Sequence, residues 1–217
     1  MSEENTRRPL KVRDNKYSVK IAKYLSTKDI TPNQISVSSI FFSILSAFCI
    51  LAINPSSSFQ LWFFSILAAL FIQMRLLCNL FDGMVAMEGG KSTKSGELYN
   101  DIPDRVSDSV IFIAMGYSLT TISWGAELGI FAALLAMMTA YVRVLGSSMG
   151  AGACFKGPMA KQHRMAISTI ALVLTPIEFI IFGELYLLLI TLIIITIGSF
   201  ITVLNRIYNI YTTLEKA

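Results

Sequence analysis

Between positions 79 and 108 the chain reads NLFDGMVAMEGGKSTKSGELYNDIPDRVSD, and this stretch holds six of its fourteen acidic residues: Asp82, Glu88, Glu97, Asp101, Asp104 and Asp108. Long apolar runs flank it on both sides. Carboxylates at the ends of membrane spans are costly unless they are solvated, paired or bound to a metal, so the stretch is the first place to look for chemistry. Its spacing narrows that chemistry. Asn79 and Asp82 stand three apart and share a face if the segment is helical. Asn100, Asp101, Asp104 and Asp108 lie within a helical arc of roughly 100°. Two helical faces of oxygen donors joined by a Gly-rich loop are suited to holding hard divalent cations, Mg2+ or Mn2+, against a pyrophosphate.

The elements that position these residues follow from the apolar pattern. The chain has 217 residues, of which 54% are hydrophobic and only 15% charged, a composition outside the range of an ordinary soluble domain. A membrane helix needs about 20 apolar residues, and six blocks meet that length, at 34–54, 59–80, 102–122, 126–148, 164–182 and 184–205. The fold class expected is all-α: a polytopic membrane helix bundle with six transmembrane helices, preceded by an interfacial amphipathic helix. In that preceding segment, from Asn15 to Ser26, Tyr17, Ile21, Tyr24 and Leu25 recur at helical spacing, with Lys16, Lys20 and Lys23 around the other side. The chain therefore divides into an N-terminal part, 1–30, and a membrane domain, 31–217. Thr31 suits an N-cap and Pro32 the first helical position of the first span. The second span is expected to run on through Asp82 towards Met87, with a loop over 88–96. Asp101-Ile102-Pro103 is read as the opening turn of the third span, where proline is best tolerated.

The net charge of +4 matters less than where its 18 basic residues lie. With six spans, the Lys and Arg residues fall on the side of the two termini and the second and fourth connections, or at the span ends next to them. The turns near Pro55–Phe59, Thr120–Ala126 and Gly183 carry none. This positive-inside pattern predicts a multi-pass plasma (inner) membrane protein with both termini and the acidic stretch facing the cytoplasm. The first thirty residues are polar and basic, so no secretory signal is expected there. Cys49, Cys78 and Cys154 form no metal-ligand spacing and read as small buried residues. A P-loop, a dinucleotide fingerprint, a zinc pattern and a nucleic-acid motif are all lacking, so no nucleic-acid partner is expected.

A second concentration of polar residues follows the fourth span. Arg143, Lys156, Lys161, His163 and Arg164 form a basic group on the same side, open to two readings: a phosphate or acceptor site, or charges that only set topology. The small residues from Gly146 to Gly152 could let helices approach closely, within one chain or across a homodimer.

The acidic stretch resembles the signature of the CDP-alcohol phosphotransferases, integral membrane enzymes of phospholipid headgroup synthesis. That signature runs Asp, two residues, Asp-Gly, two residues, Ala-Arg, eight residues, Gly, three residues, Asp, three residues, Asp. Here the corresponding positions are Asn79, Asp82-Gly83, Ala86-Met87, Gly96, Asn100 and Asp104, with every spacing kept. Two aspartates are replaced by asparagine and the arginine by Met87. The resemblance implies a transfer of a substituted phosphate from a CDP-linked lipid, such as CDP-diacylglycerol, to a small alcohol or phosphorylated alcohol, with release of CMP. It implies metal ligands at Asn79, Asp82, Asn100 and Asp104, with Asp104 also the general base. Gly83, Ala86 and Gly96 become the small positions that admit the nucleotide.

An asparagine oxygen can ligate a hard cation but brings no charge, so a two-metal site would be short of negative charge. Asp101 and Asp108 are the nearest carboxylates that could restore it. Lys91 and Lys94 are candidates to replace the charge absent at Met87. The alternative is a non-catalytic membrane protein that binds lipid or nucleotide on the same scaffold. A transporter would need acids near the bilayer midplane, and outside the stretch only Glu178 falls well inside a span.

Overall fold

The structure is a computed structural model that describes residues 16–28, 30–88, 90, 91, 93 and 95–216. The first fifteen residues of the N-terminal part and the candidate Lys94 lie outside the described residues. Among those described there are seven α-helices and no strand. They are α1 (Lys16–Thr27), α2 (Pro32–Leu51), α3 (Ser58–Glu88), α4 (Gly96–Ser118), α5 (Gly125–Ser148), α6 (Lys161–Phe182) and α7 (Tyr186–Leu214).

Five of the seven, α2, α3, α5, α6 and α7, are long and apolar enough to cross a membrane. The chain is a multi-pass membrane protein. Large apolar side chains such as Phe48, Phe59, Ile180 and Phe182 are exposed on these helices, as lipid rather than water requires. Hydroxyl and small residues are turned inward instead: Ser39, Ser43, Ser46, Ser65, Thr175, Ser199 and Thr202 are buried. Ser46 Oγ donates to the carbonyl of Ala68 at 3.0 Å, which ties α2 to α3. The remaining expected span, 102–122, corresponds to α4, which has 23 residues but carries Glu97, Asp101, Asp104, Arg105 and Asp108 among its first thirteen. Its apolarity is confined to the second half, from Val110 onward.

Local signals explain most boundaries. Thr31 Oγ1 accepts from the Gln34 N–H at 3.2 Å while Gln34 Oε1 accepts from the Thr31 N–H at 2.9 Å. This reciprocal capping box, followed by Pro32, starts α2 where the sequence places it. Gly183 ends α6 in the left-handed region at φ 72°, its N–H on the Phe179 carbonyl. The start of α4 differs from expectation. The helix opens at Gly96, with the Tyr99 N–H on the Ser95 carbonyl at 3.2 Å, so Pro103 lies inside it rather than in its first turn. A proline there forfeits only the bond to the Tyr99 carbonyl. Glu97 lies in the first turn, at the positive end of the helix.

By contacts the chain separates into two compact units, one from Met1–Phe42 and Met74–Asp104, the other from Ser43–Gln73 and Arg105–Ala217. In the first, α1 packs onto the motif-bearing end of α3. Ala22, Ile35, Leu80, Met84 and Val85 form its buried cluster, with Val19, Leu25, Cys78 and Phe81 against it. In the second, α4 and α5 approach through glycines: a Cβ on Gly129 would stand 2.6 Å from the Phe112 carbonyl oxygen. Gly146 faces the Ile210 side chain of α7, so this small residue serves packing within the chain. Glu178 accepts from the Leu187 N–H at 2.7 Å and so holds the start of α7, a structural task rather than a transport one. The three cysteines are free thiols.

Candidate active site

The helix α3 carries Arg75, Asn79 and Asp82 at intervals of four and three, on one face. The helix α4 carries Asn100 and Asp104 four apart. The two helices meet through these residues. Asn79 Nδ2 donates to Asp104 Oδ1 at 2.6 Å. Arg75 Nη2 lies 3.3 Å from the same oxygen and 3.4 Å from the Asp104 backbone carbonyl. Arg75 is fully buried, and Asp104 is 5% exposed. Asp82, 3% exposed, accepts from Ser36 Oγ of α2 and from the Gly83 N–H, both at 2.5 Å. Thus α3 and α4 meet at Asn79 and Asp104, and α2 reaches the stretch at Asp82.

Other candidate positions are more open. Asn100 is exposed and Asp101 half-buried. A Cβ on Gly96 would meet only Thr93 Oγ1, at 3.6 Å, so the protein itself leaves room beside that glycine. Ala86 is half-buried and Met87 is 67% exposed. Lys91 does not turn to the position of the absent arginine. Its ammonium donates to the carbonyls of Ser26 and Lys28, at 3.1 and 3.0 Å, at the C-terminal end of α1. There it satisfies carbonyls that the end of a helix leaves without partners.

The donor set can accept a hard cation. Asn79 Oδ1 is buried and has no hydrogen-bond partner, while its amide nitrogen is fixed on Asp104. An oxygen oriented in this way, beside carboxylates on neighbouring turns, suits Mg2+ or Mn2+. Among the described residues, however, no group of three His, Cys, Asp or Glu side chains comes together.

The basic candidates belong to the second unit and divide by burial. Arg164 is 1% exposed; its guanidinium pairs with Asp108 Oδ2 at 2.8 Å and donates to Thr139 Oγ1 at 3.3 Å and the Met159 carbonyl at 3.0 Å. It is held inside the protein, and so is Asp108, the carboxylate considered as a substitute ligand. Arg143 is half-buried, its guanidinium over the Phe155 ring at 5.7 Å. Lys156 and His163 are exposed and Lys161 half-buried; His163 Nδ1 is 2.7 Å from the Pro158 carbonyl. Two arginines were missed by sequence reasoning. Arg206 donates through Nε to the Lys156 carbonyl at 3.1 Å and through Nη1 to that of Thr139. Arg75 is the other, and its signal was present: a cation four residues before Asn79 within an apolar helix must have a partner.

A multi-pass helical membrane protein with buried oxygen donors joined between two of its helices belongs to the class of membrane-embedded transferases that act on phosphate esters. The chain belongs to the CDP-alcohol phosphatidyltransferase family, whose family model matches residues 29–204. It is a transferase of substituted phosphate from a CDP-linked donor. It is 25% identical over 199 residues to the archaetidylinositol phosphate synthase of Pyrococcus horikoshii, covering 90% of this chain and 92% of that one. It is 26% identical over 145 residues to the phosphatidylinositol phosphate synthase of Streptomyces avermitilis, covering 64% of this chain and 59% of the relative. Among solved structures, phosphatidylinositol phosphate synthase of Mycobacterium tuberculosis with manganese and citrate superposes with a TM-score of 0.73 at 18% identity, covering 90% of this chain and 89% of that one. The same enzyme with CDP-DAG bound gives 0.72 at 16% identity, over 91% and 95% of the two chains.

Proposed function

We propose that this protein transfers the phosphatidyl group of CDP-diacylglycerol to a phosphorylated alcohol, releasing CMP, at a site on the cytoplasmic edge of the plasma membrane. The observation that carries the reading is the junction of α3 and α4, where Asp82 and Asp104 are buried and the side-chain carbonyl oxygen of the half-buried Asn79 is itself buried without a hydrogen-bond partner. The relatives named for phosphatidylinositol phosphate and archaetidylinositol phosphate synthesis support a phosphorylated acceptor. Arg143, Lys156, Lys161 and His163 are the basic residues that we assign to its phosphate. Arg164, read from sequence as part of this group, is assigned to holding Asp108 instead.

In the reaction the acceptor hydroxyl oxygen forms a bond to the phosphorus bearing the diacylglycerol. The bond from that phosphorus to the CMP oxygen breaks, and CMP leaves with the electron pair. The hydroxyl proton passes to the Asp104 carboxylate, the general base at this site. Asn79, Asp82, Asn100, Asp101 and Asp104 are the oxygen donors for Mg2+ or Mn2+, which when bound supplies Lewis-acid neutralisation of the pyrophosphate. Gly83, Ala86 and Gly96 leave the backbone accessible to the cytidine nucleotide. Asn79 and Arg75 fix the Asp104 carboxylate in one orientation, so that no side-chain search is needed during the transfer. Ser36 does the same for Asp82.

The same reading completes the topology. The chain consists of the segment 1–30 and the membrane domain 31–217. The helix α4 is proposed as the sixth span, its acidic first half at the cytoplasmic edge and its apolar second half in lipid. The helix α1, with lysines on one side, is proposed to lie on the anionic cytoplasmic leaflet. A homodimer is compatible with the apolar exposed faces.

The test is an activity panel. Purified full-length protein is given CDP-diacylglycerol, Mg2+ or Mn2+ and a set of alcohols that includes glycerol, glycerol phosphate, inositol and inositol phosphate, with CMP measured. CMP release confined to a phosphorylated acceptor is expected. Release only with an unphosphorylated alcohol would overturn the acceptor, and none with any acceptor would overturn the reaction.

A further inference from the structure

The family signature places four carboxylates where this chain has two, at Asp82 and Asp104, with asparagine at 79 and 100. The structure adds a residue that the signature does not contain. Arg75 is fully buried within a membrane-spanning helix, and its guanidinium lies 3.3 Å from the oxygen of Asp104 that Asn79 also contacts. With aspartate at position 79, two carboxylates would face each other at the 2.6 Å now spanned by the Asn79 amide, an arrangement that only an intervening cation or proton makes tolerable. The asparagine turns that repulsion into a hydrogen bond, and Arg75 adds positive charge to the same oxygen. The two replacements act in one direction, towards a ligand set that needs less metal charge.

Formal charge points the same way. Asp104 and the guanidinium beside it cancel, so the cluster of Arg75, Asn79 and Asp104 offers no net negative charge to a second divalent cation. The charges of Asp82 and Asp101 are left for one ion. The buried, unpartnered Asn79 Oδ1 gives that ion an oxygen.

We propose that Arg75 is a positioning residue that takes the place of one divalent cation at Asp104, so that the protein binds a single Mg2+ or Mn2+ per chain. This rests on the phosphatidyltransferase reading only for the kind of ion.

The experiment counts Mn2+ on metal-stripped full-length protein in lipid nanodiscs, by the loss of the free-ion paramagnetic resonance signal, and measures thermal unfolding with and without chelator. Wild type is expected to hold one Mn2+ per chain. Arg75→Gln is expected to bind a second Mn2+, or the first about tenfold more tightly, and to become chelator-sensitive in its unfolding temperature. Arg75→Lys, which keeps the charge, should behave as wild type. Asn79→Asp, which restores a carboxylate and leaves Arg75 in place, should likewise gain affinity, and it keeps the test alive should Arg75→Gln not fold. Two Mn2+ per wild-type chain would overturn the proposal. So would Asn79→Asp and Arg75→Gln proteins with wild-type stoichiometry, affinity and chelator response. The count needs no substrate: a single ion without CMP release sinks the transferase reading alone, and two ions with CMP release sink this one alone.

Discussion

Asp104 and Asp108 lie one turn apart on α4, each buried and each paired with a buried arginine, yet their surroundings differ. Asp108 and Arg164 meet at 2.8 Å, and the remaining guanidinium contacts are protein oxygens of Thr139 and Met159. Of the Arg164 guanidinium only Nε is left without a hydrogen-bond partner. Arg75 approaches Asp104 at 3.3 Å, the shorter bond to the same oxygen comes from an amide, and the other end of that amide is an oxygen without a partner. A buried ion pair adds little net stability over well-packed apolar groups, because desolvation offsets attraction. What distinguishes the two is therefore what they hold in place. The Asp108 pair ties α4 to α6, whereas the Asp104 pair orients a carboxylate next to a vacant acceptor.

The contrast can be broken most sharply at Asp104. Asp104→Asn removes the proposed base and leaves the shape of the side chain. CMP release should fall by about 10²–10⁴-fold, while the protein still unfolds cooperatively in detergent. Activity within a few-fold of wild type would move the base elsewhere and leave both pairs as structural links.

Asp108→Asn should give the opposite pattern. It leaves the Arg164 guanidinium buried beside a neutral group, a change that costs about 3–5 kcal/mol. The expected result is a clear loss of thermal or denaturant stability, with CMP release per folded molecule retained. Unchanged stability with lost activity would place Asp108 among the working residues and end the distinction.

Both contrasts lay beyond the reach of sequence for one reason: the partners are 29 and 56 residues apart. Local signals were legible. Thr31-Pro32 and Gln34 spell the start of α2, and the continuous apolar periodicity carries α3 past Asp82 to Glu88. The motif spacing is local too, and it groups Asn79 with Asp104, which the fold joins by a hydrogen bond. Arg164 looked like a phosphate ligand because a cation near a membrane edge has many uses, and only the fold shows that Asp108 has claimed it. Arg75 lies outside the motif spacing, and only the fold shows its partner. Lys91 was considered for the nucleotide and is spent on the last carbonyls of α1. Pro103 misled the start of α4, because a proline usually marks a first turn and here lies seven residues in.

That displaced helix start also decides how Asp101 should behave, the smallest effect expected. With α4 opening at Asp101, its carboxylate would favour the positive end of the helix, by about 0.3–1 kcal/mol. With the opening at Gly96, Asp101 is the sixth residue, beyond the first turn where that effect is felt. Glu97 occupies the first turn instead. Asp101 is about 60° from Asp104 around the helix, closer than to Asn100, so it is placed to reach the same cation. Asp101→Asn should therefore leave the unfolding temperature nearly unchanged and raise the Mg2+ concentration needed for half-maximal CMP release several-fold. Titrating Mg2+ in both proteins beside a thermal melt separates the two roles. A lower melting temperature at an unchanged Mg2+ midpoint would remove Asp101 from the ligand set, leaving Asp82 and Asp104 as the only carboxylates that the site offers its ion.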